Sequence, residues 1–568
     1  MKRISGILAV LLLAAGTAPS IASDERPLVD APVVWYEDDR HDIEIPVERE
    51  PSVSWDYFDD SWGWPRERWT DPVRLVRNFG KLFGGDQVQP AGNINSLDEV
   101  PNSTWFTNRI GIYSMTPRDA AKGPGGGMGP DRSGKWVVVS AKTEGVSPGF
   151  NIRDARGDIY LIKFDPKGFL NMTTAADVIS SRIFHAAGYN VPEDAAVSFR
   201  RGDIVVGEDA KIKEHGVKRP MTEADVDSIL ARVDRPDDGE WIALSSKFLS
   251  GRPIGPFDYR ARRKDDPNDT VDHWNRRELR GLYVFAAWLN HFDVKQHNSL
   301  DMYVEENGSR FVKHHLIDFA STLGAAAGVE GPNPRYGYEF SFDIPAMTRR
   351  AVTLGMSEDD WRKRTLHGFR EVGYFDSTYF DPGGFDPLQP NSAFANTTRR
   401  DAYWGAKIVG AFRDSHIDAI VAEGGYREPG AAEHVAAVLK ANRNKIVRYF
   451  FDQVTPLDFF RVTGGVVEFT DLGIDYGVYP GMPARYRARF AMADASRDKM
   501  GSSRTEWEEI SSTRIPLDSG PAAGALAQLD GSHSFLAMEV QVNRGDGWSD
   551  SVTAYLAAAS GRIVAVDR

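Results

Sequence analysis

The feature that most constrains the fold is a polar loop followed at once by a β-hairpin. The loop, residues 291–298, reads His-Phe-Asp-Val-Lys-Gln-His-Asn. Two strand-like runs follow around Asn307-Gly308, a dipeptide that favours the two-residue hairpin turn. The residues expected to face one another across this hairpin are Leu300, Met302 and Val304 on the first strand and Phe311, Lys313 and His315 on the second.

Four polar side chains, well separated along the chain, form a set that suits chemistry on a phosphorylated ligand. Asp293 offers a proton acceptor, and Lys163, at the end of a strand-like run, offers a cation. Asn298 and Asp318 offer oxygen ligands for a metal, and Asp318 follows the expected hairpin. Transfer of a phosphoryl group from a nucleotide requires parts of this kind. Taken singly, each residue also has an ordinary structural explanation, such as a buried acid or a solvent-facing lysine.

These residues resemble, in order, the characteristic positions of the protein-kinase-like family. The sequence HFDVKQHN at 291–298 is similar to the kinase catalytic loop H-R-D-L-K-x-x-N. The sequence IDFA at 317–320 is similar to D-F-G, with Ala320 in place of the glycine. The match covers roughly residues 135–450 and looks closer to atypical, secreted or bacterial members, such as the CotH-like and HipA-like kinases, than to ordinary protein kinases.

The resemblance implies ATP and Mg²⁺, or Mn²⁺, as cofactors. It assigns Asp293 to the proton of an acceptor hydroxyl and Lys295 to the charge that builds on the transferred group. Asn298 and Asp318 would hold the metal, and Lys163 the α and β phosphates. The acceptor would be an unidentified protein, peptide or glycan.

Further site residues follow from the same resemblance. A loop that contains Gly145 and Gly149 would cover the phosphates, although an ordinary glycine hairpin explains it equally well. Asp177, in an expected helix from about Thr174 to Ala187, would pair with Lys163. In the first turn of that helix, however, it could simply interact favourably with the helix dipole. Phe248 and Leu249 are candidates for the backbone segment that meets the adenine.

The expected fold class is α+β, with a two-lobed kinase-like domain between two further regions. A signal peptide at 1–22 precedes an irregular extension at 23–134. The N-lobe is expected at 135–255 and the helical C-lobe at 256–455, with helical periodicity at 357–371, 401–421 and 431–450. A β-rich, sandwich-like domain is expected at 456–568.

The composition of the chain indicates the compartment in which it works and the partners it can bind. The basic start at Lys2-Arg3, the short apolar run from Ile7 to Ala15 and the small residues near Ala22 predict export to the periplasm or beyond, with cleavage near Ala22. We expect no transmembrane anchor in the mature chain. The chain has no cysteine, which excludes disulfides. Its formal net charge of −13 argues against nucleic acid as a partner.

Three functions remain open from the sequence. The first is an exported phosphotransferase that moves the γ-phosphate of a Mg-nucleotide to a hydroxyl. The second is an inactive, kinase-shaped envelope protein that only binds a partner. The third is an AMP transferase on the same fold. A zinc protease is disfavoured because H-E-x-x-H does not occur. A serine hydrolase is disfavoured because the G-x-S-x-G sequence at 145–149 lies between two expected strands and not at the strand-to-helix turn that such an enzyme requires.

Overall fold

The computed structural model describes most of the chain and shows a mixed α+β protein. The expected signal peptide at 1–22 and Gly145 lie outside the described residues. Strands and helices occur together in the described part, so the expected α+β class is confirmed. The described residues are 26–50, 89–142, 147–214, 217–236, 238–327, 331–341, 343–497, 504–529 and 535–568.

The strands fall into several sheets. In chain order they are β1 (Arg109–Tyr113), β2 (Trp136–Ala141), β3 (Gly149–Arg153), β4 (Ile159–Lys163), β5 (Asp194–Phe199), β6 (Ile204–Glu214), β7 (Val217–Pro220), β8 (Trp241–Lys247), β9 (Arg252–Pro253), β10 (Ser299–Glu306), β11 (Ser309–Leu316), β12 (Leu457–Thr463), β13 (Val466–Asp471), β14 (Arg485–Ala493), β15 (Glu508–Ile510), β16 (Arg514–Pro516), β17 (Phe535–Asn543), β18 (Val552–Ala557) and β19 (Arg562–Asp567).

The helices concentrate between the first large sheet and the C-terminal strands. In chain order they are α1 (Pro117–Lys122), α2 (Met172–Ala187), α3 (Glu223–Leu230), α4 (Arg277–Leu289), α5 (Ile344–Val352), α6 (Ser392–Ala395), α7 (Arg399–Ala411), α8 (Asp414–Ala422), α9 (Ala431–Phe451), α10 (Leu472–Asp475) and α11 (Gly520–Leu526).

The first large sheet has seven strands in the order β5-β8-β4-β3-β2-β6-β7. Its central strands are antiparallel, whereas β2 and β6 run parallel. The strands alternate buried and partly exposed residues, as in β2, whose Trp136 and Val138 enter the core. Helix α2 connects β4 to β5, so this sheet positions both Lys163 and the helix that contains Asp177.

Helix α2 is buried along nearly its whole length, which its sequence explains. Its first turn is capped by Asp165, whose Oδ1 accepts hydrogen bonds from the backbone N–H groups of Thr173 and Thr174. It ends at Gly188, whose φ of 134° is open to glycine but rarely to other residues. Apolar side chains on this helix, including Ile183 and Phe184, join the central core shared with α4, α7 and α9.

The loop–hairpin unit expected from the sequence is present. Strands β10 and β11 pair antiparallel around Asn307-Gly308. The register is the expected one, with Leu300 opposite His315, Met302 opposite Lys313 and Val304 opposite Phe311. The hairpin begins at the pair Ser299 and Leu316, which places the polar loop and Asp318 on the same end of it.

Two antiparallel sheets near the C-terminus share one apolar core. One sheet has the order β12-β13-β16 and the other β15-β14-β17-β18-β19. Side chains from both sheets, such as Phe469 and Met538, enter the same cluster. Buried ion pairs connect this region to the helices, because Lys407 of α7 lies 3.0 Å from Asp458 of β12. The sheets are therefore joined to the helices by a buried contact between opposite charges.

One expected helix is wrong. Residues 357–371 do not form a continuous helix, and only a short 3₁₀ turn occurs there, at Asp360–Lys363. The helix of this region lies earlier, at Ile344–Val352, where the side chain of Asp343 caps its first turn. Gly355, with a φ of 79°, separates the two segments.

No helix in the described part of the chain is both long enough and apolar enough to cross a lipid bilayer.

Candidate functional site

The site is built around Lys163, the last residue of β4. Its side chain is buried, and its Nζ lies 2.6 Å from Oδ1 of Asp318 and 3.6 Å from Oδ2 of Asp177. Burial on its own would lower the pKa of Lys163, but the two carboxylates outweigh it and raise the pKa above its ordinary value. The structure thus brings together one lysine and two acids that are far apart in sequence.

Asp318 follows β11 in a conformation that its neighbours impose. Its φ of 59° is left-handed, which Asp tolerates better than most residues. The next residue, Phe319, is fully buried and its ring stacks on Phe184 of α2 at 5.0 Å between centroids. The Asp318 side chain remains about half exposed. Anchoring of the adjacent phenylalanine therefore holds an accessible carboxylate beside Lys163.

The ionisation of Asp318 fits a cation ligand. Desolvation by the surrounding protein would raise its pKa, but Lys163 reverses this effect, with smaller contributions from Lys142 and Lys295. The pKa of Asp318 accordingly lies below its ordinary value. The carboxylate is charged at neutral pH and available to a metal or to the lysine.

Asp177 lies in the second turn of α2, not in the first turn as expected, because the helix begins at Met172. The dipole explanation for this acid is weakened accordingly, since that effect fades after the first turn. Asp177 is almost fully buried, and burial together with the neighbouring carboxyl of Asp194 raises its pKa well above the ordinary value. The same burial raises the pKa of Asp194 to about 6.

Buried side chains alternate with outward-facing side chains along the polar loop. Phe292 and Val294 are buried and anchor the loop, so the intervening Asp293 and the following Lys295 face outward. Nζ of Lys295 lies 2.8 Å from Oδ1 of Asp293. Nδ2 of Asn298 donates to the backbone oxygen of Asp293 at 2.8 Å and to its Oδ2 at 3.1 Å. Asn298 therefore fixes Asp293 with its amide nitrogen and keeps its amide oxygen for another partner.

A backbone contact joins the loop to the segment that contains Asp318. The N–H of Ile317 donates to the backbone oxygen of Asn298 at 3.0 Å, which continues the ladder beyond the pair of Ser299 and Leu316. Asn298 and Asp318 consequently flank the same end of the hairpin. The four polar residues expected to act together are thus placed on one connected framework.

His291 supports this framework from inside. Its ring lies 5.9 Å from Phe319 and 6.1 Å from Phe184 between centroids. Burial lowers its pKa to about 4, so the ring is neutral at physiological pH. This residue packs the loop against α2 and the segment after β11.

Close packing of the strands explains why residue 149 is a glycine. It is the first residue of β3 and stands opposite Lys163 in the ladder. A Cβ at this position would lie 2.3 Å from the backbone oxygen of Ile162, a distance that real side chains do not adopt. Gly149 is therefore required for close strand packing beside Lys163, whatever it contributes to a ligand. Its expected companion Gly145 lies outside the described residues.

The two expected adenine-contacting residues follow β8. The N–H of Phe248 already donates to the backbone oxygen of Ile159 at 2.9 Å, while its side chain is exposed. Leu249 packs its side chain on the hairpin cluster that contains Met302 and Val304. The backbone N–H of Phe248 is therefore already bonded within the sheet. The exposed ring of Phe248 is the part of this segment that remains for a ligand.

The donor set limits how a metal would be held. In the described residues, no group of three or more His, Cys, Asp or Glu side chains is arranged to hold a metal ion. Asn298 and Asp318 together offer an amide oxygen and a carboxylate. This fits Mg²⁺, which is usually held by one or two protein oxygens together with substrate phosphates and water. It does not fit a metal enclosed entirely by protein ligands.

Two charged residues near the site were not predicted from the sequence. Asp194 begins β5 and is almost fully buried. Lys142 directly follows β2 and contributes to the charge around Asp318. No local sequence signal marks Asp194. Lys142 could have been predicted as a site residue, because it lies at the start of the glycine-containing loop.

Comparisons with known proteins add little to this geometry. Neither a known family nor a curated protein matches the sequence. Among solved structures, the Helicobacter pylori proinflammatory kinase CtkA is similar at a TM-score of 0.30 and 10% identity, over 55% of this chain and 92% of that one. The Golgi casein kinase is similar at a TM-score of 0.26 and 8% identity, over 57% of this chain and 74% of that one. Likenesses this weak support no conclusion, so function must be inferred from the site itself.

Proposed function

We propose that this protein is a Mg²⁺-dependent phosphotransferase that uses ATP and phosphorylates a hydroxyl group. The observation that supports this most strongly is the contact of Lys163 with Asp318, backed by Asp177. A phosphate-binding lysine, an acid that orients it and a metal-binding acid are the parts that kinases require. Their convergence beside a loop with Asp293 and Asn298 is difficult to explain by packing alone.

Each residue has a defined task in this proposal. Lys163 binds the α and β phosphates, and Asp177 keeps its ammonium in place. Asn298 and Asp318 hold the metal, which would neutralise charge on the phosphate oxygens when bound. In the transfer step, the acceptor oxygen forms a bond to the γ-phosphorus and the bond to the β-phosphate oxygen breaks, releasing ADP. The hydroxyl proton passes to Asp293.

Lys295 completes the catalytic group. It lies beside Asp293, with its Nζ 2.8 Å from the carboxylate. In this position it can offset negative charge on the transferred phosphoryl group. Both side chains are partly exposed, so an acceptor can reach them. The acceptor class, whether protein, peptide or glycan, is left open in this proposal.

We also propose a layout for the chain. The seven-stranded sheet and α2 would form an N-lobe at about 135–255, and the helices a C-lobe at about 256–455. The two sheets with a shared core would form a C-terminal β domain at about 456–568. The N-terminal sequence supports export, with cleavage near Ala22. An oxidising compartment would suit a chain without cysteine.

Product analysis with labelled ATP tests the reaction. The purified chain is incubated with Mg²⁺ and ATP labelled on either the γ- or the α-phosphate, with casein and with itself as acceptors. The proposal predicts that only the γ-label is transferred, and that the Asp293→Asn variant transfers none. Transfer of the α-label would identify an AMP transferase. If the wild-type chain also failed to bind ATP, a non-catalytic binding protein would remain.

A further inference from the structure

Lys142 stands in a row with two residues of the site. The N–H of Lys142 donates to the backbone oxygen of Gly149 at 3.1 Å, so Lys142 faces Gly149 across the ladder. Gly149 in turn faces Lys163 on the next strand. Residues directly opposite one another in antiparallel strands project from the same face. Lys142 and Lys163 therefore lie on one face, on either side of a glycine.

The side chain of Lys142 lies across that glycine. A Cβ added to Gly149 would come within 3.2 Å of Cδ of Lys142, so the aliphatic stem passes over this position. The Lys142 ammonium also donates to the backbone oxygen of Ser147 at 3.2 Å. A side chain at position 149 would collide with this stem and with the backbone oxygen of Ile162. Two cationic side chains on one face of the sheet, on either side of a glycine, favour an anion that carries more than one negative group.

We propose that Lys142 and Lys163 form a two-lysine cradle, one lysine on either side of Gly149, that binds adjacent phosphate groups of a nucleoside di- or triphosphate. Neighbouring strands are separated by about 4.8 Å, so the two backbones lie within about 10 Å and the flexible lysine side chains can converge on one polyphosphate. A nucleoside monophosphate offers only one phosphate and cannot occupy both cations fully. This inference rests on the proposed nucleotide site. It adds Lys142 as the residue that distinguishes ligands by their number of phosphate groups.

The test compares phosphate number in wild-type and variant proteins. Calorimetric titrations with ATP, ADP, AMP and inorganic tripolyphosphate, each with Mg²⁺, are made on the full chain. Lys142→Met should weaken ATP and tripolyphosphate binding by at least about tenfold and AMP binding by about twofold or less. Lys142→Arg, which keeps the charge, should retain most of the affinity. Lys135→Met, at the exposed residue just before the same strand, is the matched control.

The outcomes separate this inference from the proposed function. If wild-type protein binds ATP but Lys142→Met binds ATP, AMP and tripolyphosphate as tightly as wild type, the cradle is wrong and the nucleotide site stands. Equal weakening of ATP and AMP would also overturn it, because the lysine would then act on the protein and not on phosphate number. If wild-type protein binds none of these ligands, both proposals fall. Melting curves of each variant show whether the fold is retained.

Discussion

The ammonium group of Lys163 lies 2.6 Å from the carboxylate of Asp318, although the two residues are 155 positions apart in the chain. Each neutralises the other in the structure described here. A bound Mg-nucleotide would give each residue a new partner: the phosphate oxygens would contact Lys163, and the metal ion would contact Asp318. Asp177 would then remain as the protein partner of Lys163.

Replacement of Lys163 tests the phosphate side of this contact. Lys163→Met should weaken Mg-ATP binding by at least about tenfold, because a charge-assisted hydrogen bond to phosphate is lost. Calorimetric titration measures the affinity. Lys167→Met, four residues further along and exposed, should leave it unchanged. Equal affinities for wild type and Lys163→Met would remove this lysine from the site.

Replacement of Asp293 should separate catalysis from binding. Asp293→Asn removes the proton acceptor but preserves the shape of the side chain, so turnover should fall by about a hundredfold or more. The affinity for Mg-ATP should change by about threefold or less, because Asp293 is not assigned to the nucleotide. Initial rates of ADP formation and a binding titration provide the two values. Asp360→Asn, which removes only an exposed acid paired with Lys363, is the control. A parallel loss of both quantities would contradict the role of base.

Asp194 should make stability depend on pH. Burial raises its pKa from 3.8 to about 6, so the folded state binds its proton more tightly than the unfolded state does. Between these values stability therefore falls as pH rises, and above about pH 6 the full cost, at most about 3 kcal/mol, is present.

Asp194→Asn removes that dependence. The variant should melt at nearly the wild-type temperature at pH 4, and above it by several degrees at pH 7.5. Asp209→Asn, an exposed acid on the same sheet, should show no such trend. A constant difference between Asp194→Asn and wild type across this pH range would show that Asp194 does not titrate as inferred.

The steric requirement at Gly149 predicts a stability effect of another kind. Gly149→Ala places a methyl group against the backbone oxygen of Ile162, so the strands must separate slightly. The expected loss of stability is about 1–3 kcal/mol, measured by chemical denaturation. Gly202→Ala is the control, since a Cβ there meets nothing within 4 Å. Equal stability of the two variants would mean that β3 can shift at no cost.

Local patterns in the sequence were sufficient to predict the hairpin of β10 and β11. Asn307-Gly308 determines the turn, and the turn determines the register, so the pairing of Leu300 with His315 could be predicted and is confirmed. The helix expected from about Thr174 to Ala187 and the one expected at 431–450 are also present.

Longer-range features could not be predicted in this way. The helix expected at 357–371 was wrong because periodicity alone did not identify the cap at Asp343, which starts a helix earlier. Asp194 reaches the site because β5 lies beside β8 in the sheet, an arrangement that no local pattern encodes. The roles of Lys163, Asp293 and Asp318 remain predictions, although the structure places these residues on one framework.

The most direct test of the central claim is whether ATP binding depends on Mg²⁺ through Asp318. Calorimetric titration of ATP into the purified chain is made with Mg²⁺ and with EDTA, for wild type and for Asp318→Ala. We predict saturable binding of one ATP per chain with Mg²⁺, which weakens at least about tenfold in EDTA and in Asp318→Ala alike. Binding that is indifferent to Mg²⁺ and to this substitution, or no binding by wild type, would contradict a metal-nucleotide site at Lys163 and Asp318.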